Sequence, residues 1–434
     1  MLEKLAKARY FSRLTGAVNR LISERGESNA VSMADDVIDN YRRLTKDQHA
    51  KFFTFLFQKL NPDPVAVMSA AQNFSAEGNA RNYIKLQRVA EPPRQELFRR
   101  LNRATNGTAA LVGMRRDLLQ VLDKQPELIA VDFDLRHLLS SWFNPGFLKM
   151  HRVDWKSPAE ILEKLIQHEA VHAIDGWDDL RRRLQPDRRC FAFFHPQLPS
   201  EPLIFVEVAL LPEIPAVITP LVDKKAETVH QTSSYKVAAF YSISNCEPGL
   251  RGVSMGNFLI KRVAEQLHEE FPSLKTFVTL SPIPGFIDWV ASGADIDGEK
   301  FSVQLKPAIR IAREQALETL GLAKRSWTER LSAGWHPDTA TVKEKSALLS
   351  LASIYLGLGS AGRNGNPVAK FHLGNGAKLH QINWSADLSR KGLRESAALM
   401  VNYLYDLSSV EENHERFTQG EIDYSRAVGR LMAP

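Results

Sequence analysis

The chain has very little cysteine: Cys190 and Cys246 are its two among 434 residues. Two thiols cannot build a disulfide framework, which excludes the small secreted scaffolds and points to a reducing compartment. No apolar run approaches the ~20 residues that span a bilayer, so no membrane partner is expected. The opening segment, MLEKLAKARYFSRL, lacks the unbroken apolar core of a secretory signal and reads as an amphipathic helix. The closing segment, RLMAP, is not a peroxisomal address. These absences leave a bacterial or organellar cytoplasm. Internal repeats and low-complexity tracts are missing as well, which excludes solenoids and disordered tails.

What is present is ordinary for a globular protein, 44% apolar and 24% charged residues. A chain of 434 residues is too long for one comfortable core, so two or three domains are expected. The net charge of +6 suits a polyanionic partner, either nucleic acid or a phosphorylated cofactor such as coenzyme A. The dense basic cluster, Arg181-Arg182-Arg183 with Arg188-Arg189, reads most simply as a solvated helix end.

Residues 1–140 carry helical periodicity at Leu2 to Arg25, Met33 to Arg43, Asp47 to Leu60 and Gln95 to Asn102. Turn signals at Asn61-Pro62-Asp63-Pro64 and Asn106-Gly107 separate them. This part is expected to be an all-α bundle serving support or oligomerisation. Residues 141–434 change texture. Ser157-Pro158-Ala159-Glu160 predicts a helix with Ser157 as N-cap, running on from Glu160 to about Leu184. Strand-like runs follow at Arg189 to His195, Leu203 to Leu211, Val237 to Ser244 and Thr276 to Leu280, with helices predicted at Phe258 to Glu270 and Ile309 to Leu322. Leu393 to Leu407 is predicted helical. The fold class is therefore α+β: a helical domain, then an α/β catalytic domain with a helical extension.

Three motifs could carry chemistry. His168-Glu169-Ala170-Val171-His172 has the zincin spacing, because residues four apart share a helix face and two imidazoles there can bind one zinc. No third ligand stands where a zincin would place it. In the plainer alternative, one histidine packs and the other faces solvent. Gly357-Leu358-Gly359-Ser360-Ala361-Gly362 is formally a dinucleotide fingerprint, but a helical run precedes it where a strand is required. It reads as a helix C-terminus opening into a glycine-rich loop. The third motif is a strand, VAAFYSIS, a glycine-spaced turn, Arg251-Gly252-Val253-Ser254-Met255-Gly256-Asn257, and a helix. Such a turn offers backbone N–H groups and a positive helix end to phosphate. A plain strand-to-helix connection is the equal alternative.

Longer strings then identify a family. PheTyrSerIleSer at 240–244, GNFLIKRV at 256–263, SPIPGF at 281–286, NPVA at 366–369 with FHL and NGA, INW at 382–384 and NYLY at 402–405 occur in order. Together they resemble the malonyl-CoA decarboxylase family over about residues 155–410. The resemblance implies an acyl-CoA N-acyltransferase (GNAT)-like catalytic domain, malonyl-CoA as substrate, and neither metal nor organic cofactor. It implies a homo-oligomer, dimer or tetramer, formed through the N-terminal helices. Its catalytic serine and histidine match Ser281 and His372, and a supporting tyrosine matches Tyr405. The coenzyme A turn matches Arg251 to Asn257, with Ser254 standing where some members have glutamate. His168 is dispensable in the family pattern, and a zinc pair cannot lose one member.

Loss of CO2 from malonyl-CoA leaves an enolate beside a thioester. The reaction therefore asks for a donor to the thioester oxygen and a proton for the carbon, leaving acetyl-CoA. The expectation is that Ser281 and His372 supply both and that Tyr405 orients His372. The rival on the same fold is an acyl-CoA-dependent acyltransferase. A coenzyme A sensor or nucleic-acid-binding protein has only the basic charge in its favour.

Overall fold

A computed structural model describes residues 2–23, 29–225, 229–253, 259–296, 306–322, 326–360 and 365–433, with side chains from residue 9 onward. The chain divides into two compact units: Met1–Lys149 with Phe193–Leu203 and Glu247–Met255, and the remainder, Met150–Ala192, Ile204–Cys246 and Gly256–Pro434.

The first unit is built from helices whose ends follow local chemistry. Thr45 and Gln48 form a reciprocal capping box at the start of Lys46–Lys59. Asp63 accepts from the Val65 amide, 3.0 Å, and Pro64 opens the helix Pro64–Ala76. At the predicted Asn106-Gly107 turn, Asn106 is left-handed (φ 57°), and a Cβ on Gly107 would lie 2.0 Å from the Leu101 carbonyl. The apolar stripes meet in one core that includes Leu14, Val18, Val37, Phe52, Leu97 and Leu135. Charges buried beside it are paired: Arg115 Nε lies 2.8 Å from Asp132, and Arg94 Nε lies 2.5 Å from Asp134.

The described strands form one mixed sheet, most of whose residues belong to the second unit. Its strands are β1 (Lys149–Val153), β2 (Arg188–His195), β3 (Leu198–Leu211), β4 (Val237–Asn245), β5 (Thr276–Thr279), β6 (Ser281–Pro282), β7 (Lys378–Asn383) and β8 (Met400–Tyr405). The order is β1-β2-β3-β4-β5-β8-β6, with β7 also paired to β8. β4 and β5 run parallel, whereas β3/β4, β5/β8, β6/β8 and β7/β8 are antiparallel. The α+β class, a helical region followed by a curled mixed-sheet domain, is as expected. Leu203 to Leu211 is buried at every position, which explains why it is apolar throughout except at Glu207 and does not alternate.

Three local expectations are corrected. The segment Leu393 to Leu407 is a short helix, Arg390–Ser396, and then β8, the strand that holds β5, β6 and β7 together. Its residues 400–405, MVNYLY, are β-branched, aromatic and almost wholly buried, so sheet packing decides. The helix expected over Glu160 to Leu184 is two helices, Ala159–His168 and Gly176–Arg183. The first begins one residue late, with Pro158 at the N-cap, because Ser157 Oγ accepts from the Asp154 amide at 3.0 Å. The arginine cluster is not a solvated helix end: Arg182, Arg183 and Arg188 are buried and ion-paired.

Candidate active site

β5 and β6 are two pieces of one run against β8, in one register: Phe277 opposes Tyr405, Val278 opposes Leu404, and Ser281 opposes Val401. Alternation along a strand puts Thr279 and Ser281 on one side, with Tyr403 and Tyr405 alternating likewise on β8. His372 comes from the helix Pro367–Gly374.

Asn366 ties this helix to the SPIPGF turn. Its side-chain oxygen accepts from the Val368 and Ala369 amides, at 3.0 and 2.9 Å, and so caps the helix. Its Nδ2 donates to the Pro284 carbonyl at 2.8 Å. One side chain therefore fixes the helix that carries His372 to the turn that follows Ser281. Asn402, fully buried on β8, holds the other side of that turn by donating to the Thr279 carbonyl at 2.8 Å.

The result is a continuous chain of polar atoms. Ser281 Oγ lies 3.1 Å from His372 Nε2, and His372 Nδ1 lies 2.9 Å from the Tyr405 hydroxyl. Ser281 Oγ also donates to Thr279 Oγ1 at 2.9 Å. Thr279 is 0% exposed, Ser281 5%, His372 4% and Tyr405 2%. The Tyr403 ring stacks on the imidazole, centroids 4.7 Å apart at 26°. Burial lowers the His372 pKa from 6.5 to about 3, so the ring is neutral near neutral pH. Burial pushes both Tyr405 and Tyr403 above the ordinary tyrosine range. Every member of the chain is thus uncharged.

The three residues expected to act together, Ser281, His372 and Tyr405, are brought together. Thr279 and Tyr403 were missed; the two-residue strand spacing would have found Thr279, but Tyr403 lies on the strand taken for a helix. Arg251, Gly252 and Val253 belong to the first unit. Arg251 is exposed, and Gly252 has a positive φ of 76° that favours glycine. Ser254, Met255, Gly256 and Asn257 lie outside the described residues.

The zincin-like pattern has lost its geometry. The helix ends at His168, and Glu169 is extended beyond it. The Glu169 carboxylate turns inward and accepts from Ser242 Oγ at 2.7 Å, Ser244 Oγ at 3.1 Å and the Val171 and His172 amides. His168 and His172 therefore do not share a helical face. Among the described residues no three His, Cys, Asp or Glu side chains converge as metal ligands.

A mixed-sheet domain carrying a buried, uncharged hydroxyl–imidazole–hydroxyl chain defines a class of site with the groups to relay a proton without housing a charge. Comparison with known proteins identifies the family. Residues 146–434 match the malonyl-CoA decarboxylase C-terminal domain, and residues 60–143 match the N-terminal domain. The chain is 38% identical to the mitochondrial malonyl-CoA decarboxylase of the goose Anser anser anser over 354 residues, 78% of this chain and 68% of that protein. The mouse enzyme is also 38% identical, covering 76% of this chain and 68% of its own length. The crystal structure of malonyl-CoA decarboxylase from Rhodopseudomonas palustris aligns with a TM-score of 0.81 at 44% identity, covering 97% of this chain and 99% of that one. That from Cupriavidus metallidurans aligns with a TM-score of 0.73 at 36% identity, covering 98% and 100%. The chain belongs to the malonyl-CoA decarboxylase family and is a carboxy-lyase.

Proposed function

We propose that the protein converts malonyl-CoA to acetyl-CoA and CO2 at the Ser281–His372–Tyr405 chain. The observation that carries this reading is the buried, neutral chain itself: Ser281 Oγ lies 3.1 Å from His372 Nε2, the Tyr405 hydroxyl lies 2.9 Å from Nδ1, and burial holds the imidazole below its ordinary pKa. A carboxylate brought into such surroundings loses its water and gains no ion pair, so the anion is destabilised where it stands. As CO2 leaves, the negative charge moves to the thioester oxygen. There the donors on His372 and Ser281 stabilise it, an effect typically worth ~10²–10³ in rate per donor. The nascent enolate carbon then takes a proton through the same pair, which regains one from solvent, so that malonyl-CoA and one H⁺ give acetyl-CoA and CO2.

Tyr405 holds His372 through Nδ1 and leaves Nε2 facing the serine. In this reading Arg251 and the turn through Asn257 hold the coenzyme A phosphates, as a glycine-spaced turn before a helix does. The first unit provides support and oligomerisation, for which Val65, Met68, Tyr83, Ile84, Ile129 and Phe133 offer exposed apolar surface. The enzyme works in a cytoplasm; among the described residues no helix is long and apolar enough to cross a membrane.

The test is the purified protein with malonyl-CoA and no acceptor. Acetyl-CoA and CO2 in equal amounts are expected. Turnover that requires an added amine would assign the site to acyl transfer.

A further inference from the structure

The hydrogen bonds around His372 have a direction, and one residue outside the expected triad sets it. Tyr405 is buried, and its hydroxyl has one partner among the described contacts, His372 Nδ1. If Nδ1 were the protonated nitrogen, Nε2 would need a proton from Ser281, but the serine already donates its one proton to Thr279 Oγ1, and the tyrosine proton would be left over as well. Tyr405 therefore donates to Nδ1. A neutral imidazole then carries its proton on Nε2, which donates to Ser281 Oγ at 3.1 Å. The serine proton needs an acceptor of its own, and Thr279 Oγ1 is there at 2.9 Å. Thr279 Oγ1 is itself held by the Tyr403 amide, which donates to it at 3.2 Å.

We infer that Thr279 is a positioning residue that fixes the direction of this chain, Tyr405 to His372 to Ser281 to Thr279, and so keeps Ser281 from being activated as a nucleophile. A serine attacks a thioester when a neighbouring base takes its proton. Here the facing nitrogen already bears a proton and points it at the serine oxygen. Nε2 keeps its proton, so a substrate oxyanion that takes the place of the serine oxygen there meets an N–H donor, and Ser281 is not acylated. Removing the Thr279 hydroxyl takes away the acceptor. The next acceptor for the serine proton is Nε2, and the chain reverses into the serine–histidine arrangement of acyl transfer.

The inference rests on the decarboxylase reading, and its test separates the two. Thr279→Val is expected to lower kcat ~10–100-fold, in the range for a displaced acid–base group, with KM changed less than about threefold. Thr279→Ser, which keeps the hydroxyl, is expected to stay within about threefold of wild type. In 15N-histidine-labelled protein, with His372→Ala used to assign the signal, the 15N shifts should place the proton on Nε2 in the wild type and on Nδ1 in Thr279→Val. A resting enzyme protonated on Nδ1 overturns the inference whatever the kinetics, and needs no folded variant of Thr279. Thr279→Ser as slow as Thr279→Val would reduce the residue to a packing role and overturn it too. If Ser281→Ala and His372→Ala are inactive while Thr279→Val turns over normally, this inference alone falls; if both alanine variants turn over normally, the functional reading falls and takes this one with it.

Discussion

Two buried polar clusters lie in the second unit, and they solve the cost of burial in opposite ways. The groups bonded to or stacked on His372, namely Ser281, Tyr405 and Tyr403, are neutral. Around Glu207 nearly every group is charged: Arg183 Nη1 reaches Glu207 at 3.0 Å, Arg183 Nε reaches Asp179 at 3.2 Å, and Arg188 pairs with Asp187 at 2.9 Å. Burial still wins at Glu207, which is pushed up to about 8 despite the pull of Arg183. The Arg183 guanidinium also donates to the His172 carbonyl at 3.1 Å, so the ion pairs anchor the 169–175 loop to the sheet. A low dielectric strengthens both kinds of network. Charge fixes geometry in one; its exclusion leaves the other free to accept a substrate's charge.

The difference can be broken in a stated order. His372→Ala should lower kcat by roughly 10³-fold, as loss of an acid–base group does, while the melting temperature moves little. Turnover within about threefold of wild type would remove His372 from the chemistry. Arg183→Met should instead leave turnover per folded molecule nearly unchanged and cost about 3–5 kcal/mol in denaturant unfolding, because Glu207 and Asp179 stay buried without their partner. A loss of activity without loss of stability would reverse the roles of the two clusters.

Smaller effects follow from pH. His372 has its pKa lowered from 6.5 to about 3 on folding. The stability gained by keeping it neutral is present above pH 6.5 and is lost as pH falls toward 3. The contribution to the slope is about 1.4 kcal/mol per pH unit. His372→Gln should flatten the stability profile by roughly that slope between pH 6 and 4; an unchanged slope would mean the imidazole is not buried neutral. Dialysis against EDTA should have no effect on turnover. Loss of activity that returns with zinc would bring His168 and His172 back as ligands.

Legibility in the sequence also differed between regions. The helical unit was plain, because a period of 3.6 in apolar residues survives any packing partner. Val237 to Ser244 and Leu203 to Leu211 were legible as strands, because β-branched and aromatic runs of that length have few alternatives. Met400 to Tyr405 failed because Arg390–Ser396 just before it is helical, and no glycine or proline marks the change. His168 to His172 failed because a helical spacing is silent about whether the helix continues. It stops here because the Glu169 carboxylate finds four donors from Ser242, Ser244 and the following amides, which no helical position would offer.

By itself the sequence determined the fold class and the family, through SPIPGF and FHLxNGA, and it put forward Ser281, His372 and Tyr405 as candidates. It also carried Asn366 and Thr279 without any sign of their use. Only tertiary structure decided that Asn366 joins two motifs more than eighty residues apart, that Thr279 accepts the serine proton, and that burial keeps the His372 imidazole neutral. The reason is physical. Local periodicity records which face of an element is buried, but hydrogen-bond direction and dielectric depend on which distant atoms fill the space beside it.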